Sequence, residues 1–328
     1  MKHDCLFIGN AIVDILSNVS FDFMSENGIE TGSWRPIGIE EINQLQETLL
    51  DTVISSGGSA ANSAVGFALL GGKASYIGRV KDDDLGRVYA KDMEKAKVNF
   101  ASKPSHEGLE TGRCLVYVTP DAQRSMRTYL GAASQLSPEE IEEDTIAESK
   151  ILYLEGYLWD EDLAKKSCQK AFELAKKYQV KTALSLSDPF CVEKWREEFR
   201  QLVKKSDIVF GNEEELKSLY DTEILSDAIA AARSEIDLSV ITRSELGSII
   251  INKNEIEEVP SFPCEKVIDT TGAGDLFAAG FLFGMVNDKR FYECANLGSF
   301  VASQVISFFG PRPEADLREL AIKQGLLV

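Results

Sequence analysis

Asp269-Thr270-Thr271-Gly272-Ala273-Gly274-Asp275 runs directly into Leu276–Val286, an apolar stretch with helical patterning. The two glycines allow the backbone to approach a ligand without interference from a Cβ. They fall where the helix begins, so its first free N–H groups and positive dipole end face one spot. That arrangement is a ready phosphate site. Asp275, in the first turn beside it, is placed to take a proton from an attacking hydroxyl. A plain glycine loop with Asp275 as a helix-start residue is the bland alternative, and the full heptapeptide is far more specific than Gly-x-Gly-Asp alone. Two rival motifs are absent. A Walker A loop needs G-x-x-x-x-G-K-[ST], but after Gly72-Lys73 comes Ala74, and Phe67 stands at the first glycine position. No G-x-G-x-x-G follows the first apolar run, which removes the main support for a dinucleotide-binding dehydrogenase.

Outward from this stretch, short apolar runs alternate with helical patterns. Leu6–Ile8, Ala74–Ile77, Ile151–Leu154, Thr182–Leu186, Ile208–Phe210 and Leu238–Thr242 read as strands. Residues 40–50, 59–70, 84–97, 163–178, 192–203 and 213–220 read as helices. The alternation predicts a mainly parallel sheet with helices on both faces. Two regions break it. Residues 14–36 are polar and glycine-bearing, and 113–119 with 125–130 alternate apolar and polar residues around Pro120-Asp121. The latter reads as a hairpin with one solvated face. We expect one domain spanning 1–328: an α/β body over about 1–13, 38–97 and 134–328, and a discontinuous β lid over about 14–37 and 98–133.

Composition narrows the function classes. The chain of 328 residues carries 35 Lys+Arg and 53 Asp+Glu, a net charge of −18. That balance disfavours a broad nucleic-acid surface, which depends on Lys and Arg neutralising phosphates. Only two histidines occur, His3 and His106, both read as surface residues, so a multi-histidine metal site is excluded. Six dispersed cysteines with no C-x-x-C pair read as reduced thiols in a cytoplasm. No apolar stretch is long enough to span a membrane, and no signal peptide is expected. If the protein is an enzyme, carboxylates and backbone groups carry its chemistry.

The heptapeptide is similar to the C-terminal signature of the ribokinase-like (PfkB) carbohydrate and nucleoside kinase family. Other segments resemble the same family in the same order: Gly9-Asn10-Ala11-Ile12-Val13-Asp14, Gly57-Gly58-Ser59-Ala60-Ala61-Asn62, Ile77–Val80, Asp83–Gly86, Leu154-Glu155-Gly156, Asn212-Glu213-Glu214-Glu215 and Thr242–Gly247. The resemblance implies a three-layer α/β/α body with a small β-sheet lid, and an ATP-dependent kinase using Mg²⁺. It implies Asp275 as base and Gly272, Ala273 and Gly274 as the anion hole. Asp14, Gly58 and Asn62 would bind the acceptor, with Gly57 giving the close turn and Ser59 and Glu155 on the substrate side. Asp14 and Asn62 could instead be simple caps. Asn212 and Glu215 would hold the water shell of Mg²⁺; a capping box is the alternative, and both can hold. Thr242, Ser244, Gly247 and Ser299 would border the nucleotide, although Ser244 stands where a glycine is usual. A monovalent cation such as K⁺ would sit at Asp269, Thr271, Val305, Phe308 and Gly310.

Within the family the chain most resembles the adenosine-kinase branch. Ser59 occupies a position where ribokinase-like members often carry Lys, and Arg124–Ala133 resembles the lid strand of that branch. Leu130 and Ala132 would face the base, and Arg124, less surely Arg127, the transferring phosphoryl group. The expected partners are ATP and a small acceptor, adenosine first and a furanose sugar as the alternative, with a non-catalytic sensor a third reading. Neither nucleic acid nor membrane is expected, and the protein is a monomer or homodimer.

Overall fold

Cys5–Ile8 is buried on both faces, as befits a strand in the middle of a parallel sheet. The structure, a computed structural model, describes residues 2–313 and 315–328. In chain order the strands are β1 (His3–Ile8), β2 (Ile12–Asn18), β3 (Trp34–Pro36), β4 (Val53–Gly57), β5 (Ala74–Ile77), β6 (Asn99–Phe100) and β7 (Thr111–Val118). Then follow β8 (Arg124–Gly131), β9 (Ser149–Glu155), β10 (Lys181–Ser185), β11 (Ile208–Asn212), β12 (Leu238–Thr242), β13 (Ser248–Asn252) and β14 (Ile256–Val259). The large sheet has the order β14-β13-β12-β11-β10-β9-β1-β5-β6. It is parallel from β12 through β6, and β13 and β14 add antiparallel at one edge.

The period-two alternation of β1 sorts the two cores. Cys5 and Phe7 point into one apolar cluster with the helices Ser59–Leu69, Ala273–Val286 and Phe291–Val305. Leu6 and Ile8 point into the other, with Asp162–Tyr178 and Glu213–Tyr220. The result is the expected three-layer α/β/α body, matching the ribokinase-like fold. Ala273–Val286 is apolar all round and buried from Leu276 to Gly284, the sign of a helix packed on every side. Gly280 lets it approach the next helix: a Cβ there would lie 2.7 Å from Gly298 Cα.

The second sheet has the order β3-β8-β7-β2-β4. Its membership differs from expectation. β4 lies in a segment assigned to the body, yet it pairs antiparallel with β2. β6, assigned to the lid, extends the large sheet beside β5. Strand pairing between remote segments decides membership, and no local pattern encodes it. The solvated hairpin face is also overturned: every residue of β7 is buried. Met24, from the helix Phe21–Glu26, and Ile42, from the helix Ile39–Glu47, cover Leu115 and Tyr117 on its outer side. The helix expected over 192–203 is two, Pro189–Lys194 and Arg196–Val203, broken at Trp195.

His3 is buried in β1 rather than on the surface, and burial lowers its pKa. His106 is exposed, 3.5 Å from Asp82. None of the described helices is long and apolar enough to cross a membrane.

Candidate active site

Open parallel sheets offer ligands the crevice beyond the carboxyl ends of their strands. Here Asn10 after β1, Glu155 of β9, Ser185 of β10, Asn212 of β11 and Thr242 of β12 all line one cavity of about 940 Å³. The inner face of the small sheet roofs it through Ile12, Asp14, Cys114, Arg124, Met126, Thr128 and Leu130. Alternation along β8 puts Arg124, Met126, Thr128 and Leu130 on this face. Arg127 is on the other, buried and donating to Ser33 Oγ at 3.0 Å. The expectation that Arg127 approaches the phosphoryl group is thereby corrected.

At the floor, the 269–275 loop is tied down by its own first residue. Asp269 Oδ1 accepts from Thr271 N–H at 2.8 Å and from Thr271 Oγ1 at 2.6 Å, and Oδ2 accepts from Gly310 N–H at 2.8 Å. The main-chain N–H groups of Ile268 and Asp269 donate to Ile306 O. Thus Asp269, Thr271, Val305, Phe308 and Gly310 come together beside the loop. The carbonyls of Asp269, Thr271, Phe308 and Gly310 accept no hydrogen bond among the described residues.

Gly272 caps the helix with φ +78°, a conformation that suits glycine. The Ala273 N–H is already spent on Thr270 O at 3.2 Å, so it is not free for an anion. The N–H groups of Gly272, Gly274 and Asp275 have no partner among the described residues. Gly274 is exposed toward the cavity, and a Cβ added there would meet nothing within 4 Å. Packing does not require glycine at 274. Arg124 donates to Thr270 O at 2.6 Å and so joins the small sheet to this loop.

Asp275 projects into the cavity between two donors. Ser59 Oγ donates to Oδ1 at 2.6 Å and Asn62 Nδ2 to Oδ2 at 3.0 Å. Both donors come from the first turn of the Ser59–Leu69 helix. Its cap, Gly58, has φ +91° and supplies no side chain. Glu155 does that work from another element: Oε2 accepts from Ala60 N–H at 2.7 Å, and Oε1 accepts from Asn10 N–H at 2.8 Å and Nδ2 at 2.9 Å. Asp14 is buried in β2. Gly57 makes room for it, since a Cβ at 57 would lie 2.1 Å from Asp14 Cγ.

Beyond Asp14 the wall turns aromatic. The Trp34 and Tyr157 rings lie 5.0 Å apart by centroids, with Phe190 5.9 Å from Trp34. Trp34 Nε1 donates to Thr128 Oγ1 at 3.1 Å. Nothing in the sequence singled out Trp34 or Tyr157: Trp34 sits in a three-residue strand with no periodicity to read. Ala132 lies outside the cavity, packed under the sheet junction with its N–H on Glu110 O.

At the far end, Thr242, Ser244, Gly247 and Ser299 all line the cavity. Ser244 has φ +50°, the left-handed region, which explains why a glycine is usual there. Ser299 Oγ accepts from Phe262 N–H at 2.8 Å and fixes the neighbouring loop. Asn212 and Glu215 form a complete capping box: Glu215 Oε2 and Oε1 accept from Asn212 N–H and Nδ2 at 3.0 and 2.7 Å. Glu215 N–H donates back to Asn212 Oδ1 at 2.8 Å. No cluster of three His, Cys, Asp or Glu able to hold a metal occurs among the described residues. Both Glu215 carboxylate oxygens already accept hydrogen bonds from Asn212, and Asn212 lines the cavity beside Glu215, a donor set that fits a Mg²⁺ held through water.

The carboxylates around the cavity are held in unfavourable surroundings. Burial pushes Asp14 to about 7, with Asp275 and Asp269 adding to the rise and Arg312 opposing it. Burial lifts Glu155 to about 7 against its backbone donors, and Glu215 to about 8 with help from Asp188. Asp275 is raised by desolvation, opposed by Ser59, Asn62, Arg124 and Arg312. A raised carboxylate near a hydroxyl is a stronger base than a free one. Arg312, unnoticed in the sequence, is the second cation of the site.

Comparison with known proteins agrees with this geometry. Residues 36–316 match the model of the pfkB family carbohydrate kinases. The structure superposes on an adenosine kinase from Sinorhizobium meliloti with TM-score 0.96 at 42% identity, covering 99% of this chain and 100% of that one. It superposes on a probable sugar kinase from Rhizobium etli with TM-score 0.97 at 39% identity, covering 99% of each. A 5-dehydro-2-deoxygluconokinase of Bacillus subtilis is 29% identical over 284 residues, 81% of this chain and 85% of its own length. Free N–H groups at a helix start, a carboxylate in the same cavity and a match over most of the chain converge: this protein belongs to the pfkB family of carbohydrate kinases, phosphotransferases that act on a hydroxyl group.

Proposed function

We propose that the protein transfers the γ-phosphate of ATP to the primary hydroxyl of a nucleoside, with adenosine as the acceptor. The observation that carries the acceptor is the aromatic wall of Trp34 and Tyr157 beyond Asp14 and Asn62. A flat base presents a full π-face for stacking on such rings, more than a furanose offers. The 42% identity to the Sinorhizobium adenosine kinase supports the same reading.

Asp14 and Asn62 hold the ribose, and the small sheet serves as the lid. Asp275 accepts the hydroxyl proton as the new O–P bond forms and the bond from Pγ to the bridging oxygen breaks, releasing ADP. Ser59 and Asn62 keep the Asp275 carboxylate aimed at that hydroxyl. The free N–H groups of Gly272, Gly274 and Asp275 stabilise charge on the transferring oxygens. Arg124 adds a positive charge from the lid side and, by its bond to Thr270, closes the lid onto the loop. Asn212 and Glu215 would hold the water shell of a Mg²⁺ carried by the nucleotide, an ion that would supply neutralisation of phosphate charge. Main-chain carbonyls of Asp269, Thr271, Phe308 and Gly310 suit a monovalent cation that would steady the loop.

The test is ADP release from ATP·Mg²⁺ with adenosine, ribose, fructose or 5-dehydro-2-deoxygluconate as sole acceptor. Adenosine is expected to be the preferred acceptor. The second reading is a sugar kinase on the same scaffold, favoured by the likeness to the Bacillus and Rhizobium etli proteins; release with a sugar alone establishes it and rejects the base-stacking role of Trp34. Asp275→Asn is expected to retain ATP binding while losing at least about a hundredfold in turnover. Wild-type turnover in that variant rejects Asp275 as base whichever acceptor is used.

A further inference from the structure

Arg312 lies between two prolines just after the Gly310 turn, and its guanidinium reaches back beneath the acceptor. Nε donates to Asn62 Oδ1 at 3.4 Å, and a terminal nitrogen donates to Ser56 Oγ. Ser56 is itself fixed by Asp92, which accepts from its N–H at 2.9 Å and its hydroxyl at 3.1 Å. Among the described residues the remaining terminal nitrogen is buried without a partner, and no ion pair within 4 Å includes Arg312. A desolvated, incompletely bonded guanidinium is a poor stabilising device; an apolar side chain of similar volume packs as well or better. Its presence calls for a role other than stability.

The Asn62 amide supplies that role. A carboxamide can turn over and exchange its oxygen for its nitrogen at little steric expense. Asp275 needs the nitrogen, which donates to Oδ2 at 3.0 Å. A donor-only group on the opposite side of the amide demands the oxygen there, and Arg312 is such a group. We propose that Arg312 is a positioning residue for phosphoryl transfer, locking the Asn62 amide in the one orientation that donates to Asp275 and so aims the base at the acceptor hydroxyl. The proposal rests on the reading of Asp275 as base. The same charge opposes repulsion between Asp14 and Asp275. The other charged or titratable groups that face it are Asp92 and Tyr89 on the Asp84–Lys95 helix and Tyr76 on β5.

A double-mutant cycle separates this role from a structural one. ADP release at saturating ATP·Mg²⁺, with the acceptor that the wild-type enzyme uses, is measured for Arg312→Met, Asn62→Ala and the double variant. Arg312→Lys and Asp275→Asn are run beside them, with melting temperatures for all five. Arg312→Met is expected to lower kcat about ten- to a hundredfold, the scale of a misaimed catalytic group, with the KM for ATP within about threefold of wild type. In the Asn62→Ala background, where no amide remains to orient, the same change is expected to lower kcat less than about threefold. Arg312→Lys, which keeps the charge and one donor, recovers part of the loss. Wild-type kcat in Arg312→Met, or an equal fold loss in both backgrounds, overturns the proposal. Should Arg312→Met fail to fold, the cycle is run with Arg312→Lys and read in the same way. Full turnover in Asp275→Asn removes the premise instead, and identifies the reading of the base as the part that failed.

Discussion

Two glycines of the site are glycine for different reasons, and the difference is measurable. A Cβ at Gly57 would collide with the Asp14 carboxyl, whereas one at Gly274 would touch no protein atom within 4 Å. Gly274 lies in the first turn of a helix, where alanine is favoured over glycine by up to about 1 kcal/mol. Gly274→Ala is therefore expected to keep or raise the melting temperature while lowering turnover at least about tenfold, because its methyl group occupies the space of the transferring phosphate. Gly57→Ala is expected to lower stability. A Gly274→Ala enzyme with wild-type turnover would mean that no anion approaches that N–H. These residues could be read from the chain because they are contiguous with the chemistry they serve. Arg312, Trp34 and Tyr157 could not: each reaches the cavity from a remote segment with no motif of its own.

A single strand shows what element-scale reasoning adds. The sequence offers Arg124, and less surely Arg127, as candidates on one run, and a spacing of three places them on opposite faces of β8. Arg124 faces the cavity and bonds Thr270, while Arg127 is buried against Ser33. Arg124→Ala is expected to lower kcat about a hundredfold, the scale for one lost transition-state donor. Arg127→Ala is expected to leave kcat within about twofold and cost about 1–3 kcal/mol of stability through the polar groups it strands. Reversed outcomes in turnover and denaturant unfolding would exchange the roles of the two arginines. The helix at Ser59 is a second case. Its cap, Gly58, has no side chain to accept a hydrogen bond, and Glu155, from β9, accepts the Ala60 N–H instead. Apart from the helix expected over 192–203, which is two, the expected helices and strands were recovered with small shifts at their ends, because hydrophobic periodicity is local. No strand was expected at β4, whose segment was assigned to the body, and its partner, β2, lies more than thirty residues away.

For the molecule as a whole, the crowded carboxylates set a pH dependence of stability. Asp14 is raised from 3.8 to about 7, Glu155 from 4.5 to about 7 and Glu215 from 4.5 to about 8. Between those limits the folded state holds protons that the unfolded chain has released, so stability falls as pH rises. The penalty is absent below about 4, grows through the window and is complete above about 8. His3, lowered from 6.5, works the other way at acid pH. The ligand-free protein is expected to melt at a higher temperature at pH 6 than at pH 8, and Glu155→Gln and Glu215→Gln are expected to flatten the difference. A melting temperature that rises from pH 6 to 8 would show that these carboxylates ionise freely in the fold.

The sequence alone determined the layered α/β body and singled out Asp275 as the candidate base and the helix start at Gly272 as the candidate phosphate site. All three follow from interactions between residues close in the chain: alternation, capping, and free N–H groups behind a glycine pair. It also carried the family likeness, because those local motifs recur in order. Only the tertiary structure decided which strands form the second sheet, which of two arginines faces the reaction, and which N–H groups remain free once Ala273 is bonded to Thr270. It alone brought Arg312 under Asn62 and set Trp34 against Tyr157. Such contacts join segments as much as 250 residues apart, and depend on how the layers close over one another rather than on the pattern of any one segment.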